Sequence, residues 1–161
     1  MGQKTHAGRA YPAPPGDWEL AELARRQHGA VSRRRLEALG IGRGAITKRL
    51  ARGRLHPLHH GVYAVGLAAV SERGRWWAAV LAAGGPERCV LSHRSAASAW
   101  DLAPFSGVPE LTTLDRSASV AGLRVHRSRT LDPVADVVHH DGGLPVTSVT
   151  RTLIDLSLIH I

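Results

Sequence analysis

Cysteine, aromatic rings and long apolar runs are nearly missing from this sequence. The 161 residues hold one cysteine, Cys89, and one phenylalanine, and aromatics make up 4% of the chain. A single cysteine cannot close an internal disulfide, and no second thiol stands near to share a metal, so Cys89 reads as a small, buried, inert apolar residue. No stretch reaches the roughly 18 to 20 apolar residues needed to cross a bilayer. The opening MGQKTHAGRAYPAPPG lacks the apolar segment of a signal peptide, and His6 stands where a myristoylation signal needs Ser or Thr. These absences lead to the expectation of a cytoplasmic protein with no membrane partner. What remains is 43% apolar, enough for a globular core built from Ala, Leu and Val.

Charge is present, and it is uneven. Of the formal net +8, residues 1–16 carry +2, residues 17–66 carry +6, and residues 67–161 balance to zero. A basic N-terminal third beside a neutral remainder is the asymmetry of a nucleic-acid-binding module joined to something else. The reading divides the chain into a flexible basic arm (1–16), a DNA-binding unit (17–66), a mixed α+β domain (67–157) and a short tail (158–161).

Local signals give the first unit its order. Asp17 is the expected N-cap of a helix through DWELAELARRQHG that stops at Gly29. Ser32 caps a short second helix, with Leu36 and Leu39 inward and Gly40 at its end. The segment GRGAITKRLARGR forms a third, with Ile46 and Leu50 at i and i+4 and Gly53 closing it. RLHPLHHGVYAVG then reads as two strands about a turn, with Leu55, Leu58, Val62 and Ala64 inward. Three helices and a hairpin follow the succession of a winged helix-turn-helix.

On a helical wheel with Ile46 and Leu50 as the core face, Gly44, Ala45, Lys48 and Arg52 fall opposite, and Thr47 and Arg49 lie at the margins. Small residues near that helix's start would allow close approach to base edges, and the cations beyond would meet phosphate or guanine. Arg33, Arg34 and Arg35 oppose the macrodipole in the first turn of the second helix, which phosphate would relieve. The expected nucleic-acid-binding residues are Arg33, Arg34, Arg43, Gly44, Thr47, Lys48, Arg49, Arg52, Arg54, His59 and His60. A solvated basic face with no ligand accounts for any one such run; its coincidence with the helix and hairpin order favours DNA.

Beyond residue 66, Ser71 and Ser92 are expected to cap two Ala-rich helices. About four strands follow, two of them joined by a turn at Asp141-Gly142-Gly143, and Thr147 or Ser148 opens a last helix. The fold class is α+β. His56, His59 and His60, or His139 and His140, lack the Cys or acidic companions of a zinc site, and neighbours on a strand point to opposite faces. GIGRGA follows a helix rather than a strand and is not a nucleotide loop. Asp101, Asp115, Asp132, Asp136, Asp141 and Asp155 read as caps and turns, His93 and Arg94 as surface polar residues, and Trp76, Trp77 and Trp100 as helix packing. No catalytic residue, cofactor or metal is expected.

Four stretches, HGAVSRRRLEALGIGRGAITKRLARGRLHPLHHGVYAVG, ERGRWWAAVLAAGG, VLSHRSAASAWDL and LPVTSVTRTLIDLS, resemble in order the actinobacterial branch of the AbiEi-like antitoxin family, across residues 17 to 157. The resemblance implies a DNA-binding winged helix followed by an α+β antitoxin domain. It further implies a non-enzymatic regulator that represses its own operon at promoter inverted repeats. Such a regulator counters a nucleotidyltransferase toxin in a type IV arrangement without a stable complex. Many relatives in this branch carry a Vsr-like endonuclease domain after the TLIDL helix, so the alternative is the N-terminal part of such a fusion. The ending LSLIHI departs from the family pattern and reads as a truncated or artefactual tail.

Overall fold

The computed structural model describes residues 16–105, 107–113 and 119–159. The expected arm, apart from Gly16, together with Asp115 and the last two residues, lies outside them. Within them the chain is α+β, with six α-helices and two sheets.

The first unit runs α1 (Asp17–Arg26), β1 (Ala30–Ser32), α2 (Arg33–Ala38), α3 (Arg43–Ala51), β2 (Leu55–His59) and β3 (Val62–Val65). Ser32 caps α2 as expected, its hydroxyl accepting from the Arg35 amide at 3.3 Å. Asp17 does not cap α1: Gly16 holds the N-cap position in a left-handed conformation, and the Asp17 carboxylate accepts instead from the Arg49 guanidinium of α3. Strand β1 was not expected. Three residues are too few to show alternation, and only pairing with β3 makes them a strand, giving an antiparallel sheet of order β1-β3-β2.

That sheet is buried on both faces. Val31 and Tyr63, paired in register, join Leu20, Leu36, Ile41, Ile46 and Leu55 in a core under the three helices. Ala30 and Val62, on the opposite face, join a second core with Trp76, Trp77, Val80, Leu91, Leu111 and Val146. Strand alternation therefore splits one ribbon between two cores.

The remainder runs α4 (Glu72–Ala82), β4 (Cys89–Leu91), α5 (His93–Ala99), β5 (Glu110–Thr113), β6 (Arg124–Arg127), β7 (Val137–His140), a 3-10 turn (Asp141–Gly143), β8 (Leu144–Thr147) and α6 (Val149–Ile159). The second sheet has the order β6-β5-β4-β8-β7, with β4-β8 and β5-β6 parallel. Its central strand β4 escaped notice in the sequence because three wholly buried residues carry no periodicity. Ser71 caps α4 and Ser148 caps α6 through hydroxyls that accept from Gly74 and Arg151 amides. Ser92 precedes α5 but gives it no side-chain cap; its hydroxyl bonds Thr112 and His93 instead. Trp76 and Trp77 are buried, and the Trp100 indole N–H donates to the Thr147 carbonyl at 2.8 Å. The Arg151 guanidinium binds Asp155 within α6 and reaches Asp136 and Ser128, tying the last helix to the loop after β6.

Candidate nucleic-acid interface

Helix α3 divides by charge and size. Ala45, Ile46, Arg49 and Leu50 form one stripe at i, i+1, i+4 and i+5; Ile46 is buried, and Ala45 and Leu50 pack partly against the first core. Ala45 thus lies on the inner side, contrary to the wheel, which took the stripe's centre from Ile46 and Leu50 alone. Arg43, Gly44, Thr47, Lys48 and Arg52 are all exposed. Nothing stands within 4 Å of where a Cβ on Gly44 would lie, so the start of the helix presents bare backbone. The Thr47 hydroxyl donates back to the Arg43 carbonyl at 3.1 Å and keeps its lone pairs for an outside donor.

Arg49 is placed differently. Its side chain is 20% exposed and pairs with Asp17, itself 26% exposed, so its charge is spent joining α3 to the start of α1. Arg33 is half-buried; its Nε is buried without a hydrogen-bond partner, with the Glu37 carboxylate 4.0 Å away, while its amide donates to the Gly61 carbonyl in the hairpin turn at 2.7 Å. That bond fixes the hairpin tip to the first turn of α2. Arg34, Arg35, Arg54 and His60 are exposed. His59 is half-buried, and desolvation holds its pKa below the ordinary imidazole value.

The exposed residues of α3 lie apart from Arg34 and His60. Arg34 and His60, with Arg26, Arg35, Glu87 and Arg88, line a cleft of about 710 Å³ between the first unit and the α4-β4 connection, and no α3 residue lines it. His56 is occupied structurally, its Nε2 within 3.0 Å of the Gly66 carbonyl.

One cluster went unrecognised in the sequence. His93, expected at the surface, is 8% exposed and stacks on His126 with ring centroids 3.8 Å apart. Burial first, and the neighbouring His126 second, hold its pKa below the usual value; Asp155 and Glu110 oppose this, and Arg151 adds to it weakly. His126 in turn meets Glu110 at 3.0 Å. Positions 93, 110 and 126 carry no common motif; the parallel pairing of β5 and β6 and the bonds of Ser92 and Ser95 to Glu110 bring them together.

In the unit from α1 to β3 a basic helix lies exposed beside a hairpin. A family model described as "Transcriptional regulator, AbiEi antitoxin" matches residues 19–66, which is nearly that whole unit. This match supports a DNA-binding antitoxin. A search of curated proteins returned no match.

Proposed function

We propose that residues 17–66 act as a winged helix-turn-helix, with α3 entering the major groove of duplex DNA and the β2-β3 hairpin resting on the backbone as the wing. The carrying observation is the exposed series Arg43, Gly44, Thr47, Lys48 and Arg52 on the side of α3 turned away from its core. Small groups and a hydroxyl at the start suit close approach to base edges, and the flanking cations suit phosphate and guanine. The protein is a non-enzymatic regulator of the cytoplasm that binds inverted repeats in its own promoter as the antitoxin of a type IV system. It is paired in function with a nucleotidyltransferase toxin without a stable complex. Residues 67–157 form the antitoxin domain.

The test is binding of the full chain to a duplex carrying the region upstream of its own gene, across a salt series. Besides Arg25 and Arg26 of α1, six exposed cations, Arg34, Arg35, Arg43, Lys48, Arg52 and Arg54, are available in this unit. If all six meet phosphate, affinity falls about 10³-fold between roughly 50 and 200 mM salt. Replacing Lys48 and Arg52 together by Ala lowers the salt slope by about two with unchanged circular dichroism. An unaltered slope in that variant, or no binding of the native chain at low salt, would refute the interface.

A further inference from the structure

Away from α3, on the face of the second sheet covered by α5, three side chains with metal-binding chemistry converge. His93 opens α5, Glu110 opens β5, and His126 lies on β6 two residues beyond Arg124, the residue in register with Glu110. One donor atom from each lies within 4.8 Å of the others. We propose that His93, Glu110 and His126 form a binding site for a divalent first-row transition ion, with zinc the best match.

The donor set is the first reason. Two imidazoles and one carboxylate with a fourth position left to water are a known zinc combination, and the ion sits about 2.0 to 2.2 Å from each donor, so donors around a tetrahedral ion stand about 3.3 Å apart. His126 Nε2 and Glu110 Oε2 are already 3.0 Å apart. A modest contraction of His93 toward them completes the geometry.

The support around the donors is the second reason. Glu110 is 3% exposed, and its other oxygen, Oε1, accepts from Arg124 at 3.1 Å, which leaves Oε2 toward the imidazoles. Its backbone amide donates to the Ser95 hydroxyl of α5, and its carbonyl accepts from the Ser92 amide, so its position relative to α5 is doubly determined. His93 Nδ1 lies 2.9 Å from the Ser92 hydroxyl, which also accepts from Thr112. With Nδ1–H donating to that hydroxyl, the other ring nitrogen is free to ligate, and the hydroxyl orients the ring as an outer-shell partner does. His93 also has φ of 52°, a left-handed conformation that non-glycine residues rarely adopt and that concentrates at functional positions.

The third reason is what the site would hold. Strand β6 is an edge strand in which no residue is fully buried, so little apolar burial fastens it beyond its ladder with β5. An ion shared by α5, β5 and β6 would clasp that edge. His126, at 29% exposed, is the ligand nearest solvent and the side from which the ion would enter.

The experiment uses the full chain, dialysed against chelator and titrated with cobalt(II) alone, whose visible d–d bands report low-coordinate imidazole and carboxylate ligation, followed by zinc(II) as competitor. The expected result is one equivalent of cobalt with such bands, displaced by one equivalent of zinc. His126→Ala and Glu110→Gln should each weaken binding by at least about 100-fold, since loss of outer-shell partners alone costs up to that much. His59→Ala/His60→Ala and His139→Ala/His140→Ala should leave it unchanged. Should the Glu110 variant fail to fold, the ring nitrogen resonances of His93 and His126 in the native chain provide the same reading, because zinc must shift both. Absence of the bands, bands that persist in the His126 variant, or ring resonances that zinc leaves in place would each overturn the proposal. None of these outcomes depends on DNA binding.

Discussion

Two neighbouring cations on α3 show how one residue step changes a role. Lys48 is exposed and among the described partners has no acid, whereas Arg49, one position on and 100° round the helix, turns toward Asp17. Composition treats the two alike; only the position of the core stripe separates them. The same scale governs Cys89. It is wholly buried, its thiol donates to the Val80 and Gly85 carbonyls, and burial pushes its pKa up to about 12, the Gly85 bond offsetting this only in part. Because the thiolate is the nucleophile, the native thiol stays protonated and unreactive at ordinary pH. In the native chain at pH 8, iodoacetamide should alkylate Cys89 at least about 1,000-fold more slowly than in denaturant, where a thiol of ordinary pKa near 8.5 is partly ionised. Equal rates in the two conditions would contradict the burial of this side chain.

Among elements, α3 is held from below by Ile46 and Leu50 and from the side by Arg49. The Asp17 pair fixes the end of α1 that faces it, so the placement of α3 depends on a bond between two helices distant in sequence. Arg49→Ala should therefore lower stability, by about 1 to 2 kcal/mol for a pair between the exposed and buried limits. It should leave the salt slope of DNA binding within experimental error of the native value, unlike the Lys48 and Arg52 replacements. Urea denaturation and the same binding titration distinguish the two roles. The hairpin is tied down in a similar way, through the Arg33 amide donating to the Gly61 carbonyl, which anchors its tip to the first turn of α2.

Across the whole molecule, the basic unit and the second sheet are joined by a shared ribbon and by one close backbone approach. Strand β3 lends Tyr63 to one core and Val62 to the other. At the turn between β7 and β8, Gly142 has φ of 69°, and a Cβ there would stand 2.1 Å from the Arg26 carbonyl at the end of α1. Asp141 beside it pairs with Arg73 of α4 and with His28 of the turn after α1. Gly142→Ala combines a left-handed backbone with a clash against backbone, and should cost about 1 to 3 kcal/mol by overpacking alone. A lowered urea midpoint is the expected outcome, and an unchanged one would show that the two parts do not abut as described.

Much of this protein was written locally. Caps at Ser32 and Ser71, the stops at Gly40 and Gly53, the apolar pair Ile46 and Leu50 and the Asp141-Gly142-Gly143 turn are short-range signals, legible because each acts within one helical turn or one hairpin. Charge density was equally legible, so the basic unit and its outward Lys48 and Arg52 could be read from residue order. What required tertiary structure was whatever depends on pairing between distant segments: the strands β1 and β4, too short to show a period, the partner of Asp17, the inward turn of Ala45, and the convergence of His93, Glu110 and His126. The physical reason is that side-chain direction along an element follows from backbone geometry, whereas the neighbour it meets is decided by which strands exchange hydrogen bonds and which helix faces are desolvated together.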